Sequence, residues 1–458
     1  MGHLETGDLR GAVRGAVLVP GDEGYDEESD GFQQADRHRP DMIVVAEDAG
    51  DVREALSFAR RSGLPLAVQA TGHGLGPAAR GGVLVSTRRM RGITVDARAR
   101  TAWIEAGVRA ADLVTEAARY GLAPVNGSAP GVGIVSYALG GGVGLLGREF
   151  GYAADLVRRI DLVTGDGTPR EVTAESEPEL FWGLRGGGGA FGVVTGMEIG
   201  LVPVERIYGG CLQFDGGEVA EDVLRIWQEW TKSVPENMCS AVSLLPKPDI
   251  PQLPEPLRGR FVAQVHIAFD GPAEEGARLV EPLRAIGSLL VDGLGEMPYT
   301  ESASIFKEPE TPHPYRSVNA MLDGPLSGDA VRAVLDEVGP GAEAMCVTGL
   351  RHMGGAFARE PSVPNAVDNR RAAYLFYVLS PFEPETEDTV RALHDRALDG
   401  VSDRAVGRNL NFLYGPQDDE MLRPLYGQEK ADRLARLKER YDPDGTLPFT
   451  IVRHRRAS

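Results

Sequence analysis

The chain has 458 residues, of which 42% are hydrophobic and 25% charged, and its formal net charge at pH 7 is −19. Length and composition are typical of a soluble enzyme with two or three domains. The acidic balance argues against non-specific nucleic-acid binding and against docking on anionic membranes. Without an apolar run of about 18 residues or a secretory signal, we expect a cytoplasmic protein with no membrane partner.

The three cysteines, Cys211, Cys239 and Cys346, lie far apart in the sequence. They form neither a C-x-x-C pair nor a metal-binding spacing with histidine. We therefore predict no disulfide framework and no metal site.

The first part of the chain alternates between predicted strands and helices. The acidic run "DEGYDEESD" is predicted to be a surface segment. Residues 40–74 predict strand, helix and strand, with Asp51 as the helix N-cap and Gly63 as its end. "GGVLVST" is a predicted strand, "GITVDARARTAWIEAG" a hairpin and "RAADLVTEAARYG" an amphipathic helix. This alternation is typical of an α+β or α/β domain.

The middle of the chain is rich in glycine. The segment 126–151 has little strand pattern, "RRIDLVTGDGTPREVTA" predicts a hairpin that turns at "GDG", and "LFWGLRGGGGAFGVVTG" predicts a loop entering a strand. From about residue 206 the glycine clusters thin out, which indicates a second domain of sheet and helices. Its predicted helices span 218–233, 273–287, 328–337 and 386–398, and its predicted strands are "RFVAQVHIAF", "AMCVTGLRH" and "AAYLFYVLS".

Three glycine clusters, at 72–76, 140–147 and 186–189, lie between these predicted elements. Glycine turns let backbone N–H groups approach an anionic ligand. The chain has no Gly-Lys pair, which excludes a P-loop, and "GVGLLG" lacks the strand and helix of a dinucleotide fingerprint. The pattern therefore favours a large phosphorylated cofactor held by several separate loops.

Five stretches carry a resemblance to a known family. They are "GLPLAVQATGHG", "GVLVSTRRMRGITVD", "AGVRAADLVTEAARYGLAPVNGSAPGVGIVSYALGGGVGLLGREFG", "LFWGLRGGGGAFGVVTGMEI" and "RLARLKERYDPDG". In this order they resemble the berberine-bridge-type flavoproteins of the vanillyl-alcohol oxidase superfamily. The resemblance implies an α+β fold with a two-subdomain FAD-binding domain (1–205), a substrate domain whose sheet roofs the flavin (206–404) and a C-terminal return to the FAD-binding domain (405–458).

The resemblance also implies how FAD is held. His73 stands where the family bonds the flavin covalently, and Ala129 replaces the cysteine that forms a second link in many members. We therefore expect FAD bound covalently through His73 alone, similar to the 6-hydroxy-D-nicotine oxidase type. Thr71 replaces a glycine of many relatives. The other residues expected to contact FAD are Ala70, Thr71, Gly72, Gly74, Leu75, Ala129, Pro130, Gly133, Gly140, Gly141, Gly142, Gly144, Val194 and Asn411.

Hydride transfer to flavin N5 needs a base close to the substrate O–H or N–H. The family's "Y-x-N" reads "NLN" here, so Asn409 stands in place of a tyrosine that often serves as or supports that base. The candidate bases are Tyr377, Tyr374, His352, Arg351 and Tyr137, with Tyr377 favoured. Tyr374 and Tyr377 are predicted to point to opposite faces of one strand, as are Arg351 and His352.

The leading hypothesis is an FAD-dependent oxidase or dehydrogenase that oxidises an alcohol or amine carbon of a small organic molecule. By family analogy the substrate belongs to secondary metabolism, and dioxygen is the expected electron acceptor. The missing "Y-x-N" tyrosine motivates one alternative, a flavin-containing cyclase or isomerase without net redox turnover. A second alternative is a protein that sequesters a small aromatic ligand.

Overall fold

The computed structural model describes residues 7–74, 78–414 and 423–448. In chain order the strands of these ranges are β1 (Val17–Leu18), β2 (Met42–Val45), β3 (Leu66–Gln69), β4 (Val83–Ser86), β5 (Ile93–Asp96), β6 (Thr101–Glu105), β7 (Val157–Thr164), β8 (Pro169–Val172), β9 (Gly192–Gly200), β10 (Arg206–Asp215), β11 (Met238–Pro246), β12 (Phe261–Phe269), β13 (Leu289–Asp292), β14 (Gly295–Pro298), β15 (Tyr315–Leu322), β16 (Val347–His352), β17 (Tyr374–Pro381) and β18 (Ala405–Gly407).

The α-helices of the same ranges are α1 (Gly7–Ala12), α2 (Tyr25–Ser29), α3 (Ala49–Arg61), α4 (Ala110–Ala118), α5 (Ile134–Leu139), α6 (Gly147–Phe150), α7 (Pro178–Leu184), α8 (Gly216–Trp230), α9 (Ala273–Leu279), α10 (Glu281–Arg284), α11 (Gly328–Val338), α12 (Glu387–Asp399) and α13 (Gln428–Tyr441). None of them is both long and apolar enough to cross a membrane.

The first sheet has the strand order β1-β2-β4-β3, with β2, β4 and β3 parallel. Helix α3 connects β2 to β3 as predicted and ends before Gly63, whose φ of 63° lies in the left-handed region that favours glycine. The predicted N-cap is wrong: Asp48 caps α3 by accepting the N–H groups of Gly50 and Asp51. Asp51 lies inside the helix, and its buried carboxylate accepts hydrogen bonds from the backbone N–H groups of Arg14, Gly15 and Glu47.

The second sheet is antiparallel, with the order β5-β6-β9-β7-β8. Both predicted hairpins, β5-β6 and β7-β8, are present. Phe58 of α3 packs in one core cluster with Val163 of β7 and Val193 of β9. Helix α3 therefore joins the first sheet to the second through shared apolar packing.

The third sheet is the largest, with the antiparallel order β13-β10-β12-β11-β16-β17-β15-β18 and β14 also paired to β10. Helices α8, α11 and α12 cover one face, where Trp227 and Leu393 are fully buried. Three separate sheets with helices beside them confirm the α+β class. Because β18 still belongs to this sheet, we propose that the C-terminal return begins after Gly407.

The C-terminal helix α13 packs against the second sheet. Its Leu434 and Leu437 join the same core cluster as Phe191. Next to them, the buried Lys438 ammonium lies 2.7 Å from the Asp442 carboxylate and donates to the carbonyl oxygens of Ala190 and Leu447. This pair ties the helix to the loop 185–191 that precedes β9.

Candidate functional site

A cleft of about 230 Å³ lies between the first two sheets. The turn after β3, helix α5 and the start of β9 supply its walls, which include the predicted residues Ala70, Thr71, Gly72, His73, Gly74 and Val194. The predicted residue Leu75 lies outside the described residues. We call this space the intersheet cleft.

The residues of the turn after β3 line the intersheet cleft. Among the described residues, none accepts a hydrogen bond from the N–H groups of Thr71, Gly72, His73 or Gly74. Gly72 has a φ of 69°, and a Cβ on it would lie 2.3 Å from Cα of Gly31. Successive free N–H groups in a glycine turn bind anions such as a pyrophosphate. The turn therefore fits the phosphate part of a dinucleotide such as FAD.

His73 is held firmly within this turn. Its Nδ1 lies 2.9 Å from Thr71 Oγ1, and its ring stacks on Phe32 with centroids 3.9 Å apart. Burial, assisted by the positive charge of Arg109, lowers the pKa of His73 to about 4. The imidazole is therefore neutral at pH 7, which is its nucleophilic form.

The run "DEGYDEESD" is exposed or half-buried, as predicted for a surface segment, except at Tyr25 and Ser29. Tyr25 is buried, with its hydroxyl donating to the carbonyl oxygen of Pro40. Phe32 N–H donates to Thr71 O and Gln33 N–H to Gly72 O. Phe32 and Gln33, which follow this run, thus close over the His73 turn.

The glycine-rich segment, residues 126–151, packs around Asn411. Gly142 N–H donates to Asn411 Oδ1 at 2.8 Å, and Asn411 Nδ2 donates to Tyr137 O at 3.1 Å. A Cβ on Gly140 would lie 2.8 Å from Asn411 Nδ2. The structure thus brings the predicted residues Gly140, Gly141 and Gly142 together with Asn411.

The remaining predicted contact residues fall in two places. Gly133 N–H donates to Thr71 Oγ1 at 3.3 Å, and a Cβ on Gly131 would lie 3.3 Å from Cε1 of His73. Ala129 and Pro130 belong to the same loop and lie outside the lining of the intersheet cleft. Gly144 instead lines a second, smaller cavity.

That second cavity, of about 30 Å³, lies between the glycine-rich segment and the uncovered face of the large sheet. Its lining includes Gly144, His266, Phe306 and Arg351. We call it the sheet cavity. The strand pairing places Arg351 and Tyr377 on this same face, because Gly349 lies opposite Tyr377 and two residues before Arg351.

Arg351 is the charged centre of the sheet cavity. Its guanidinium donates to Ser128 Oγ at 2.9 Å, and Ser128 in turn donates to the Glu308 carboxylate. The guanidinium carbon lies 4.5 Å from the ring centre of Phe306 and 4.9 Å from that of Phe412. The buried cation is thus stabilised by two aromatic faces and a bridged carboxylate.

Two of the five predicted base candidates, Tyr374 and His352, contact the helix-covered side of the large sheet. The Tyr374 hydroxyl bonds to Thr231 Oγ1 at 2.6 Å, on the side covered by α8. His352 Nε2 lies 2.7 Å from an Arg148 nitrogen, and its ring is edge-on to Trp227. The sequence predicted opposite faces for each pair of candidates but could not tell which face looks toward the cofactor domain. Tyr374 therefore lies away from the sheet cavity, whereas His352 also lines that cavity and stays a candidate.

The Tyr137 ring packs against Gly127 and Gly142, and its hydroxyl has no hydrogen-bond partner among the described residues. Burial raises its pKa, while Arg351 acts in the opposite direction. Asn409 does not take the place of the base. Its side chain accepts a hydrogen bond from Asn411 N–H, and its backbone bonds to the Asn319 side chain.

Several residues of the site carried no prediction. Ser243 and His266 lie on the sheet face beside Tyr377, and the half-buried Tyr414 lies with its ring centre 5.4 Å from that of Tyr315. For Ser243 and His266 the signal was a polar residue within an apolar strand, such as the histidine of "FVAQVHIAF". Phe32 carried no comparable signal.

The three cysteines offer no reactive thiol. Burial raises the pKa of Cys211 and Cys239 to about 12 and that of Cys346 to about 11. A thiol is nucleophilic only as a thiolate, so none of them is activated at neutral pH.

Comparison with known proteins agrees with this geometry. Residues 40–173 match the family model described as "FAD binding domain". An uncharacterised FAD-linked oxidoreductase, YgaK of Bacillus subtilis, is 27% identical over 95% of this chain and 96% of its own. The chain is an FAD-linked oxidoreductase with the fold of the berberine-bridge type. That fold is also seen in BBE-like 1 of Physcomitrella patens, with a TM-score of 0.85, 19% identity and coverage of 99% of this chain and 100% of that one.

A further relative of this oxidoreductase is (R)-6-hydroxynicotine oxidase of Paenarthrobacter nicotinovorans, which is 38% identical over 43% of each chain. The resemblance drawn from the five sequence stretches is thus confirmed, as are the enzyme class and the FAD-binding domain.

Proposed function

We propose that this oxidoreductase oxidises an alcohol or amine carbon of a small organic molecule, with FAD linked covalently through His73 alone. The observation that carries the proposal is the pairing of two features: a neutral, stacked imidazole in a turn of free N–H donors, and a sheet face that presents Tyr377 and Arg351. The (R)-6-hydroxynicotine oxidase relative supports a small-molecule substrate, with dioxygen as the expected electron acceptor.

The roles follow from the contacts. The N–H groups of Thr71 to Gly74 would hold the pyrophosphate, and His73 would bond to the ring system. When bound, FAD supplies the acceptor for hydride. Tyr377 would accept the substrate proton, and Arg351 would place positive charge beside the reacting atoms. Ala129 carries no thiol, and burial raises the pKa of Cys239 to about 12. Neither residue would therefore supply a thiolate for a second link.

The first test is covalent attachment. Acid-denatured protein is expected to retain flavin on the polypeptide, and the His73→Ala variant is expected to release all of it. His38, a second cleft histidine whose pKa burial also lowers, gives the matched control His38→Ala, which should keep the link. Flavin that washes out of the unaltered protein contradicts the tether, and covalent flavin in His73→Ala contradicts the residue.

The second test is redox turnover. An anaerobic panel of small alcohols, sugars and amines is expected to bleach the flavin absorbance in at least one case. Tyr377→Phe should then slow bleaching by about 10²-fold or more. Tyr374→Phe, three residues earlier on the other face of β17, should leave the rate unchanged. Substrate conversion without any bleaching would instead favour a cyclase or isomerase.

A further inference from the structure

Tyr377, Gly349 and Ser243 form one row across three adjacent strands of the large sheet. Gly349 of β16 pairs with Tyr377 on one side and with Ser243 on the other. A Cβ on Gly349 would lie 2.8 Å from the Tyr377 hydroxyl oxygen. The phenol therefore lies flat across the glycine, and its hydroxyl reaches Ser243 Oγ at 3.0 Å.

His266 of β12 lies on the same face diagonally from Ser243, because β12 pairs Gln264 with Ser243 and His266 with Ala241. Its Nε2 lies 3.1 Å from Ser243 Oγ, and its Nδ1 lies 2.9 Å from the carbonyl oxygen of Ile305. The ring stacks on Phe306 with centroids 4.0 Å apart. A carbonyl oxygen can only accept, so Nδ1 of His266 carries a hydrogen.

The protonation state of His266 fixes the direction of the remaining bonds. The described groups facing the ring are Arg351 from β16, Lys247 beyond β11 and Cys211 from β10. No carboxylate contacts the ring within the described residues, and burial together with the two cations keeps it neutral, with a pKa of about 3. Nε2 is then an acceptor.

Ser243 therefore donates to His266, and Tyr377 donates to Ser243, because each hydroxyl has a single hydrogen. The Tyr377 oxygen keeps its lone pairs, and no described residue donates to it. A doubly protonated His266 would reverse the chain, with Ser243 donating to Tyr377.

We propose that Ser243 and His266 are positioning residues that hold the Tyr377 hydrogen away from the substrate and make the Tyr377 oxygen an acceptor for a substrate O–H or N–H. This inference rests on the proposed function, because it deepens the role of Tyr377. It restricts the substrates to alcohols and to primary or secondary amines. A tertiary amine has no hydrogen to donate.

The proton balance closes through the same row. When bound, FAD would supply the acceptor for the substrate C–H hydrogen and its two electrons. The substrate O–H or N–H proton would pass to the Tyr377 oxygen as the Tyr377 proton moves to Ser243 and the Ser243 proton to Nε2 of His266. Because the pKa of His266 is about 3, the ring would relay this proton and not retain it. Dioxygen, the expected oxidant, would take up the two electrons and both hydrogens and become hydrogen peroxide.

The structural arm of the test uses holoenzyme labelled with ¹⁵N-histidine. The His266 signals, identified by their loss in His266→Gln, are expected to show a protonated Nδ1 and an acceptor Nε2 between about pH 5 and pH 8. A protonated Nε2 in that range overturns the proposal. This arm requires no substrate.

The kinetic arm follows anaerobic flavin reduction by benzyl alcohol, benzylamine and N,N-dimethylbenzylamine. Ser243→Ala should slow reduction by the first two about 10²-fold with little change in KM, and Ser243→Thr should restore most of the rate. The solvent deuterium effect should fall in Ser243→Ala, because fewer protons move. An unchanged rate in Ser243→Ala, or fast reduction by the tertiary amine, overturns the positioning role. If no compound of the alcohol, sugar and amine panel reduces the unaltered enzyme, the proposed oxidase function fails, while the histidine spectrum still decides the bond direction.

Discussion

The buried pair Lys438–Asp442 offers a sharp test of how the C-terminal helix supports the intersheet cleft. Lys438 is 1% exposed and Asp442 is fully buried. In Lys438→Met the Asp442 carboxylate loses its counter-charge, and the carbonyl oxygens of Ala190 and Leu447 lose their donor. Removing one partner of a buried ion pair costs about 3–5 kcal/mol. We expect the free energy of unfolding to fall by that amount.

The assay is urea unfolding followed by circular dichroism, with flavin absorbance recorded in parallel. The double variant Lys438→Met, Asp442→Asn removes the buried charge while its amide oxygen still accepts from Thr446 N–H. It should therefore recover at least half of the loss. Lys232→Met, which breaks a surface pair, is the matched control and should leave the midpoint unchanged. A loss below about 1 kcal/mol in Lys438→Met, or no recovery in the double variant, would refute the reasoning.

Three further predictions concern cofactor retention, pH and the cysteines. Asn411→Leu leaves Gly142 N–H and Tyr137 O without partners, so the purified protein should carry less flavin per chain, measured as visible absorbance against protein content. Burial lowers the pKa of His73 to about 4 and those of His266 and His394 to about 3. Below about pH 6.5 these histidines bind protons in the unfolded chain but stay neutral in the folded chain. The free energy of unfolding should therefore fall as the pH drops from about 6.5 towards 4, by about 1.4 kcal/mol per pH unit for each histidine. A urea midpoint that stays constant in that range contradicts this. Cys239→Ser should leave the amount of covalent flavin unchanged, measured after acid denaturation, and a loss would point to a second link.

Local patterns predicted those parts of the fold that depend on neighbouring residues. The turn at "GDG", the hairpin β5-β6 and the end of α3 at Gly63 follow from short-range geometry, and all three are present. The N-cap failed because Asp48 and Asp51 are chemically equivalent in the sequence. Asp51 binds the backbone N–H groups of Arg14 and Gly15 instead, and this contact depends on residues far from it in the sequence.

The site was less predictable because it depends on long-range register. The pattern of β17 places Tyr374 and Tyr377 on opposite faces, but the packing of α8 decides which face is covered. Ser243 and His266 meet Tyr377 only because β11, β12, β16 and β17 lie side by side in a specific register. No spacing within a single strand contains that information.

The closure of the His73 turn by Phe32 has a consequence for biosynthesis. Phe32 and His73 are synthesised before Asn411, which fixes the glycine-rich segment. A nascent chain that stops before Asn411 has the histidine but not the completed walls around it. We therefore expect the flavin to be attached only after Asn411 has been synthesised, so that translation products truncated before this residue carry none.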